Sequence, residues 1–310
     1  MSALKEWGSP VSEMESPGKR NFLGLSDLYS SPEASLFHVI PVPYDATSTY
    51  LSGSRKGPQA IIDASRNIEL YDHELDMEPA SAGVATLEEV PVTVGDPGLM
   101  VEAVEKAVAV AAAKKKIPVV LGGEHTVSVG AVKAIATRGK VYVVSFDAHA
   151  DLRDTYQGTE FSHACFLRRT REVADCCVFG VRSISREEVD FARSSGTRVF
   201  YAGGMQDGIA TLDLDFIPDT VYLSIDIDVL DPSIMPATGT PEPGGLGWYD
   251  LVGLLTRIVS GRKVLGFDVV ELCPLAGNHA PDFTAAKLVH KVMGTIVKYA
   301  STEDDRTRHG

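Results

Sequence analysis

Two carboxylates and an imidazole alternate at the end of one apolar run of the sequence. In VSFDAHAD (144–151), the pattern up to Phe146 predicts a buried strand, and Asp147, His149 and Asp151 follow at every second position. Side chains at positions i, i+2 and i+4 of an extended chain point to the same side. The spacing therefore brings together side chains that can bind a divalent metal ion.

Three other apolar runs end in the same kinds of side chain. IPVVL is followed by GGEH with Glu124 and His125, TVYLSI by Asp226 and Asp228, and VLGFDVV by Glu271. Ligands of parallel sheets bind beyond the carboxyl ends of the strands, which all meet at one edge. We therefore expect these four segments to build one site at that edge.

The carboxylates of this predicted site need compensating positive charge. Unit negative charges ~4 Å apart repel by about 4 kcal/mol at an effective dielectric constant near 20. The candidate metal ligands are His125, Asp147, His149, Asp151, Asp226 and Asp228. A set of this size, mostly anionic, suits a pair of divalent ions better than one, and oxygen-rich ligation without cysteine favours Mn²⁺ over a structural Zn²⁺. The alternative is that each motif merely caps a helix or a turn.

Short β-rich segments that alternate with helical patterns must position these residues. The strand candidates are LFHVIPV, GVATL, IPVVLGG, KVYVVSFD, CCVFG, RVFYA, TVYLSIDI and KVLGFDVVEL. Several are apolar without alternation, which is typical of strands covered on both faces. Helical spacing of apolar residues predicts helices over 99–115 and 281–299. The alternation predicts a parallel sheet between two layers of helices.

The chain shows no repeat or linker that would divide it, so we expect one main domain. The predicted organisation is an N-terminal arm (1–35) with WG and FLGL as docking points, a catalytic domain (36–299) and a polar C-terminal tail (300–310).

Charge and composition narrow the partners. A net charge of −13 argues against nucleic acid and favours a small cationic partner. The four cysteines form no C-x-x-C pair, which favours a reducing compartment. No apolar run approaches the ~20 residues of a membrane span, and the N-terminus lacks a signal-peptide core. We therefore expect no membrane partner and a cytoplasmic location.

The motifs together resemble a known family. GGEH, SFDAHAD and SIDIDVLDPSIMPATGTPEPGG resemble, in order and spacing, the three metal-site signatures of the ureohydrolases, which include arginase and agmatinase. PVPYDATSTYLSGSRKGPQAI (41–61) resembles a further family segment, so the resemblance covers about 36–299. It implies a three-layer α/β/α sandwich around an eight-stranded parallel sheet, and a homo-oligomer, either a trimer or a hexamer.

The resemblance also implies a role for each site residue. One manganese ion would be held by His125, Asp147, Asp151 and Asp226, and the other by Asp147, His149, Asp226 and Asp228. The two ions would lower the pKa of a shared water, and the resulting hydroxide would attack a guanidinium carbon to release urea and an amine. His163, in EFSHA, would pass a proton to the leaving amine. Glu271 would pair with the guanidinium, and Glu124 would support the site from outside.

The substrate is predicted from the loop 152–160, LRDTYQGTE. Arginases bind the α-amino and α-carboxylate groups with a Ser/Asn-rich loop here, whereas this loop resembles agmatinases of the archaeal and bacterial type. Agmatine carries a second cation, so Asp154 or Glu160 could bind its amine, although both could equally be solvated loop charges. Aminopropylagmatine, guanidinobutyrate and arginine remain alternative substrates.

One segment has no predicted role, and two other classes of protein remain as alternatives. The segment 273–285 is longer than the usual connection after the glutamate, which leaves the roles of His279 and Asp282 open. A zinc-dependent deacetylase shares the architecture but uses one metal with an Asp/His/Asp set. A nucleotide-binding module is the other rival, but no G-x-G-x-x-G follows the first strand and no G-x-x-x-x-G-K-[ST] occurs.

Overall fold

The computed structural model describes residues 20–93, 95–205 and 208–301. The WG pair of the predicted arm and the tail beyond residue 301 lie outside these ranges. Within them, all eight predicted strands are present, with ends that differ from the prediction by a few residues. The strands are β1 (Phe37–Val42), β2 (Val84–Thr86), β3 (Ile117–Gly122), β4 (Tyr142–Phe146), β5 (Asp175–Val181), β6 (Arg198–Tyr201), β7 (Thr220–Asp226) and β8 (Lys263–Val270).

The strands form one eight-stranded sheet in the order β2-β1-β3-β8-β7-β4-β5-β6, and every neighbouring pair is parallel. Both faces of the central strands are buried, which explains why these strands lack an apolar/polar alternation. Along β4, Val144 and Phe146 contribute to one apolar cluster and Val143 to the other. The period-2 geometry of a strand thus divides its side chains between two cores.

Helices cover both faces of the sheet. They are α1 (Asp27–Ser30), α2 (Gly57–Ser65), α3 (Pro97–Ala113), α4 (Thr126–Ala136), α5 (Phe166–Thr170), α6 (Arg186–Ser195), α7 (Ala202–Met205), α8 (Trp248–Val259) and α9 (Ala280–Tyr299). Helices α2, α8 and α9 contribute to one apolar cluster, whereas α3, α4 and α5 contribute to the other. The predicted three-layer α/β/α sandwich is confirmed. None of the described helices combines the length and the apolar character that crossing a bilayer requires.

Part of the predicted N-terminal arm packs onto the sheet domain. Phe22 and Leu23, in FLGL, are buried in the same cluster as α2 and α9. The backbone N–H of Phe22 donates to Thr86 Oγ1 at 2.8 Å, and that of Leu23 donates to Ser65 Oγ at 2.8 Å. FLGL is therefore held by backbone hydrogen bonds as well as by apolar contact.

The sheet order brings the four predicted polar segments to one place. Strands β3, β8, β7 and β4 are consecutive in the sheet, although β8 is the last of them in the sequence. Their carboxyl ends are in register, since Phe146 pairs with Ile225, and Asp226 pairs with Val270. The backbone N–H of Glu271 donates to the carbonyl oxygen of Gly123 at 2.7 Å. The residues after each strand therefore converge on one edge of the sheet.

Gly123 lets the segment after β3 pass close to the end of β1. A Cβ atom at this position would lie 2.0 Å from the carbonyl oxygen of Tyr44, which is backbone and has no rotamer to move away. The close approach also permits a hydrogen bond of 2.8 Å from the N–H of Glu124 to the same oxygen. Only glycine fits there without displacing the residues that follow.

We expect Gly123→Ala to lower the free energy of unfolding by about 1–3 kcal/mol or more, because a methyl group would be forced into a packed backbone contact. The measurement is denaturant-induced unfolding of the variant beside the wild type. Gly253→Ala in α8 is the matched control, since a Cβ there meets no heavy atom within 4 Å. It should hold or slightly raise stability, because alanine is the better helix former. Equal stability of the Gly123 variant and the wild type would contradict this account of the contact.

Candidate active site

The structure brings all six predicted metal ligands together. His125 begins the segment before α4, Asp147, His149 and Asp151 follow β4, and Asp226 and Asp228 lie at the end of β7. They include two groups whose ligand atoms lie within 4.8 Å of one another: one is His125, Asp147 and Asp151, and the other is Asp147, His149 and Asp228. Asp147 belongs to both groups.

The first group surrounds a ring nitrogen of His125. Its Nδ1 lies 3.1 Å from Asp147 Oδ2, 3.1 Å from Asp151 Oδ2 and 3.5 Å from Asp226 Oδ2. This nitrogen is fully buried, yet it makes no hydrogen bond within the described structure. Buried polar atoms are nearly always satisfied. A nitrogen that faces three carboxylate oxygens without bonding any of them is arranged as a metal ligand is.

Hydrogen bonds behind His125 fix which of its nitrogens faces the carboxylates. Ser224 Oγ donates to Asp268 Oδ1 at 2.7 Å, so its only hydrogen is committed. His125 Nε2 lies 2.9 Å from the same hydroxyl oxygen and must therefore donate to it. In its neutral form the ring then carries its proton on Nε2 and directs the lone pair of Nδ1 towards the carboxylates, as metal ligation requires.

The second group is arranged around His149. Its Nδ1 lies 2.9 Å from Asp228 Oδ2 and 3.5 Å from Asp147 Oδ1. Asp147 thus directs Oδ2 towards His125 and Oδ1 towards His149. Because Asp147 directs a separate oxygen towards each group, its carboxylate is placed as a residue that bridges two ions would need to be. Asp226 lies with the first group, and its predicted bridging role stays a prediction.

The pKa values show how much negative charge is crowded here. Burial, together with the neighbouring Asp147 charge, raises the pKa of Asp151 to about 7. Burial and the charges of Asp228 and Asp147 raise the pKa of Asp226 well above its ordinary value. Burial alone would lower the pKa of His125, but the surrounding carboxylates outweigh it and raise that pKa well above the usual range. The cluster therefore favours bound positive charge, which a pair of divalent cations would supply.

The two predicted catalytic residues share a cavity of about 250 Å³ with the metal-ligand candidates. Glu271 Oε1 accepts a hydrogen bond of 2.8 Å from the backbone N–H of His125. Burial, with Glu124 nearby, raises the pKa of Glu271 to about 8. Burial, with His149 and His125 nearby, lowers the pKa of His163 to about 4. A buried carboxylate and a neutral imidazole thus face the space beside the cluster.

Two residues of the site adopt a backbone conformation that side chains normally avoid. Asp151 has φ of 51° and Glu271 has φ of 68°, both in the left-handed region. Such conformations cost of order 1–3 kcal/mol and persist only where the surroundings enforce them. Here they turn two carboxylates into the cavity from the ends of two different strands.

Comparison with known proteins places this site in a family. The profile of the Arginase family matches residues 35–294, which include the eight strands, most of the helices and all the site residues described above. The chain belongs to the arginase family. It is a hydrolase of that family, and the match favours the ureohydrolase interpretation over a deacetylase.

Two relatives that the chain resembles over most of its length carry different names. The chain is 38% identical over 272 residues to N(1)-aminopropylagmatine ureohydrolase of Thermococcus kodakarensis, covering 86% of this chain and 93% of the relative. It is 39% identical over 259 residues to agmatinase of Pyrococcus horikoshii, covering 83% and 90% respectively. Its fold is similar to that of agmatine ureohydrolase of Thermoplasma volcanium, with a TM-score of 0.83, 32% identity and coverage of 94% of this chain and 97% of that one.

Several predicted loop residues lie away from the cavity. Asp154 and Glu160 both pair with the buried guanidinium of Arg169, at 2.7 Å and 2.8 Å. These contacts favour the view that neither binds the substrate's amine. His279 is 81% exposed and pairs with Asp282 at 3.2 Å, and both line a different cavity near α2. The long segment after Glu271 therefore does not bring these two residues to the site.

Four residues that line the cavity or support its histidines were not predicted from the sequence. Glu242, Arg153 and Tyr156 line it, and Thr47 contacts His163. Glu242 lies within the quoted signature TPEPGG, its side chain is 37% exposed, and its Oε1 is 4.0 Å from His149 Nε2. A carboxylate in a rigid Pro-Glu-Pro segment was a usable signal. Arg153 packs over the Tyr156 ring, which no local sequence pattern indicates.

We expect the wild type to bind two divalent ions per chain, and Asp147→Ala to abolish most of this binding, because one residue serves both groups. Added divalent metal should raise the melting temperature of the wild type, since ligands of the folded state stabilise it, but not that of the variant. Elemental analysis and thermal unfolding measure the two effects. Asp63→Ala, which changes an exposed carboxylate on α2, should bind metal as the wild type does. Full metal content in the Asp147 variant would contradict the arrangement.

Proposed function

We propose that the protein hydrolyses agmatine to putrescine and urea. The observation that supports this proposal is a pair of carboxylates that line the cavity in addition to the metal-ligand candidates. They are Glu271, which is buried beside the cluster, and Glu242, which is half-exposed. Agmatine carries a guanidinium at one end and an ammonium at the other, so each cation can meet one carboxylate. The relatives named agmatinase and aminopropylagmatine ureohydrolase support the same substrate class.

Metal ions complete this proposal. The residues fit a pair of divalent cations, which would be held by the six histidine and aspartate ligands. When bound, such a pair supplies a water of lowered pKa that can attack the guanidinium carbon at neutral pH. The oxygen-rich, cysteine-free ligand set supports manganese as the metal. Assembly into a trimer or hexamer belongs to the same proposal.

Glu271 binds and orients the substrate. A carboxylate held by the N–H of His125 at 2.8 Å has little freedom to rotate, so it can present a fixed edge to a planar guanidinium. Entry of the cation would lower the raised pKa of Glu271, since an opposite charge stabilises the carboxylate. Binding the substrate and ionising Glu271 thus reinforce one another.

His163 moves a proton. Its imidazole lines the cavity and is neutral near pH 7, because its pKa lies at about 4 in this environment. A neutral ring can accept a proton at one nitrogen and then deliver it to the nitrogen of the leaving amine. Without that proton the amine would have to depart as an anion, which is strongly unfavourable.

A second candidate substrate follows from Arg153. Its guanidinium lies at the cavity, 5.1 Å from the centre of the Tyr156 ring. A cation at this position could pair with a carboxylate at the far end of the substrate, as in guanidinobutyrate. The choice between the substrates then depends on whether Glu242 or Arg153 meets the substrate's tail.

The first test measures urea release from agmatine, aminopropylagmatine, arginine and guanidinobutyrate at equal concentrations. We expect kcat/KM for agmatine to exceed that for arginine by about tenfold or more, because placing the charged α-carboxylate near Glu242 is unfavourable. Faster turnover of guanidinobutyrate would favour the Arg153-based alternative. Faster turnover of arginine would reject the agmatine proposal and leave family membership intact.

A second test changes the two carboxylates separately. Glu271→Gln should lower kcat/KM for agmatine about 30-fold with the metals retained, since charge-assisted contacts contribute about 1.5–3 kcal/mol. The same variant should lower kcat/KM for 1-guanidinobutane, which lacks the amine, by a similar factor.

Glu242→Gln is the matched comparison for this test. This variant should lower kcat/KM for agmatine and leave kcat/KM for 1-guanidinobutane unchanged, because it removes only the carboxylate that would pair with the amine of the substrate's tail. Equal effects of both variants on both compounds would show that the two carboxylates do not bind opposite ends of the substrate.

A further inference from the structure

The hydroxyl of Thr47 connects a buried carboxylate with the ring of His163. Thr47 Oγ1 lies 2.6 Å from Glu124 Oε1 and 3.3 Å from His163 Nδ1. It also accepts the backbone N–H of His163 at 3.1 Å. Thr47 and His163 are 116 positions apart in the sequence, so only the fold brings them together.

Glu124 holds Thr47 in place. The backbone N–H of Thr47 donates to Glu124 Oε2 at 2.8 Å, and the Ser48 hydroxyl donates to the same oxygen at 3.2 Å. Glu124 itself is 0% exposed, and its backbone N–H is bound to the carbonyl oxygen of Tyr44. Neither partner can move without breaking several of these hydrogen bonds.

The hydrogens available around Thr47 determine which nitrogen of the His163 ring carries the proton. A threonine hydroxyl has one hydrogen and two lone pairs. The short contact to Glu124 takes the hydrogen, because the next hydroxyl, Thr126 Oγ1, is 3.4 Å away. The lone pairs face the backbone N–H and Nδ1 of His163, so Nδ1 must carry a proton to bond with Thr47.

A competing hydroxyl lies at the same distance from this nitrogen. Ser162 Oγ is also 3.3 Å from His163 Nδ1. Its hydrogen is not committed to a carboxylate, so Ser162 could act as donor or acceptor and imposes no tautomer by itself. Thr47 can only accept a hydrogen bond from the ring, and it therefore determines which nitrogen of His163 carries the proton.

We propose that Thr47, oriented by Glu124, is a positioning residue that holds His163 in the Nδ1–H tautomer and leaves Nε2 as its proton-transfer atom. The part of this inference that concerns turnover rests on the proposed function. In that step, Nε2 accepts a proton released by the attacking water and becomes the imidazolium. The Nε2–H bond then breaks as the same proton passes to the leaving amine nitrogen, whose bond to the guanidinium carbon breaks. Nδ1–H stays bonded to Thr47 in both states, so the ring does not need to rotate.

Kinetics of three variants test the inference. Thr47→Val keeps the shape but removes the hydroxyl, and we expect kcat for urea release to fall about 5- to 10-fold, the worth of one ordinary hydrogen bond. KM should change less than twofold, and metal content should match the wild type. Thr47→Ser, which restores the hydroxyl, should recover kcat to within about twofold of the wild type. Ser162→Ala, the matched control at the same nitrogen, should leave kcat about unchanged.

Nitrogen-15 NMR tests the tautomer without any turnover. In enzyme loaded with diamagnetic Zn²⁺, long-range proton–nitrogen correlations distinguish a protonated from an unprotonated ring nitrogen. The His163 signals are identified by their absence in His163→Ala. We expect a protonated Nδ1 and an unprotonated Nε2 in the wild type, and a loss of this preference in Thr47→Val.

An unprotonated Nδ1 in the wild type would overturn the inference, as would an effect of Ser162→Ala equal to that of Thr47→Val. Metal loss in Thr47→Val, or failure of Thr47→Ser to restore kcat, would show a merely structural role and overturn it as well. Failure of the proposed function has a different signature. No guanidino compound would then release urea, or His163→Ala would keep full activity, while the NMR result still reported on the tautomer.

Discussion

Repulsion among buried carboxylates is the interaction on which the rest of the site depends. Asp147, Asp151, Asp226 and Asp228 lie at or just beyond the carboxyl ends of β4 and β7 and are almost completely buried. Removing several like charges from water together is strongly unfavourable unless cations are bound. The raised pKa values of Asp151 and Asp226 express the same conflict as a tendency to hold protons. A pair of divalent ions would resolve this conflict, and metal binding would then stabilise this edge of the sheet.

The parallel sheet makes such crowding possible. Antiparallel strands would send alternate carboxyl ends to opposite edges, whereas here β3, β8, β7 and β4 lie side by side and end together. The segments that follow must then pass very close to one another, which explains glycine at position 123 beside the Tyr44 carbonyl. Local strain at Asp151 and Glu271 is a further consequence of turning short segments sharply into one cavity.

One device orients two of the histidines. Behind His125, the Ser224 hydroxyl commits its hydrogen to the buried carboxylate of Asp268 and therefore accepts from Nε2. Behind His163, Thr47 commits its hydrogen to Glu124 and faces Nδ1. In each case a hydroxyl–carboxylate pair converts a group that can donate or accept into one that only accepts. The two rings are held in opposite tautomers, which suits the proposed roles of His125 as a metal ligand through Nδ1 and of His163 as a proton carrier through Nε2.

The eight strands, the three layers and a short set of candidate ligands could be predicted from the sequence, because each depends on local patterns. The strands follow from short apolar runs, the layers from their alternation with helical patterns, and the candidate ligands from the polar residues that come directly after the strands. The sequence could not determine that β8 inserts between β3 and β7, since sheet order follows from packing of distant segments. For the same reason it missed the contact of Thr47 with His163, across 116 positions, and left Asp154 and Glu160 open as amine partners. The fold decided those points, because only tertiary packing sets which distant side chains lie within hydrogen-bond distance.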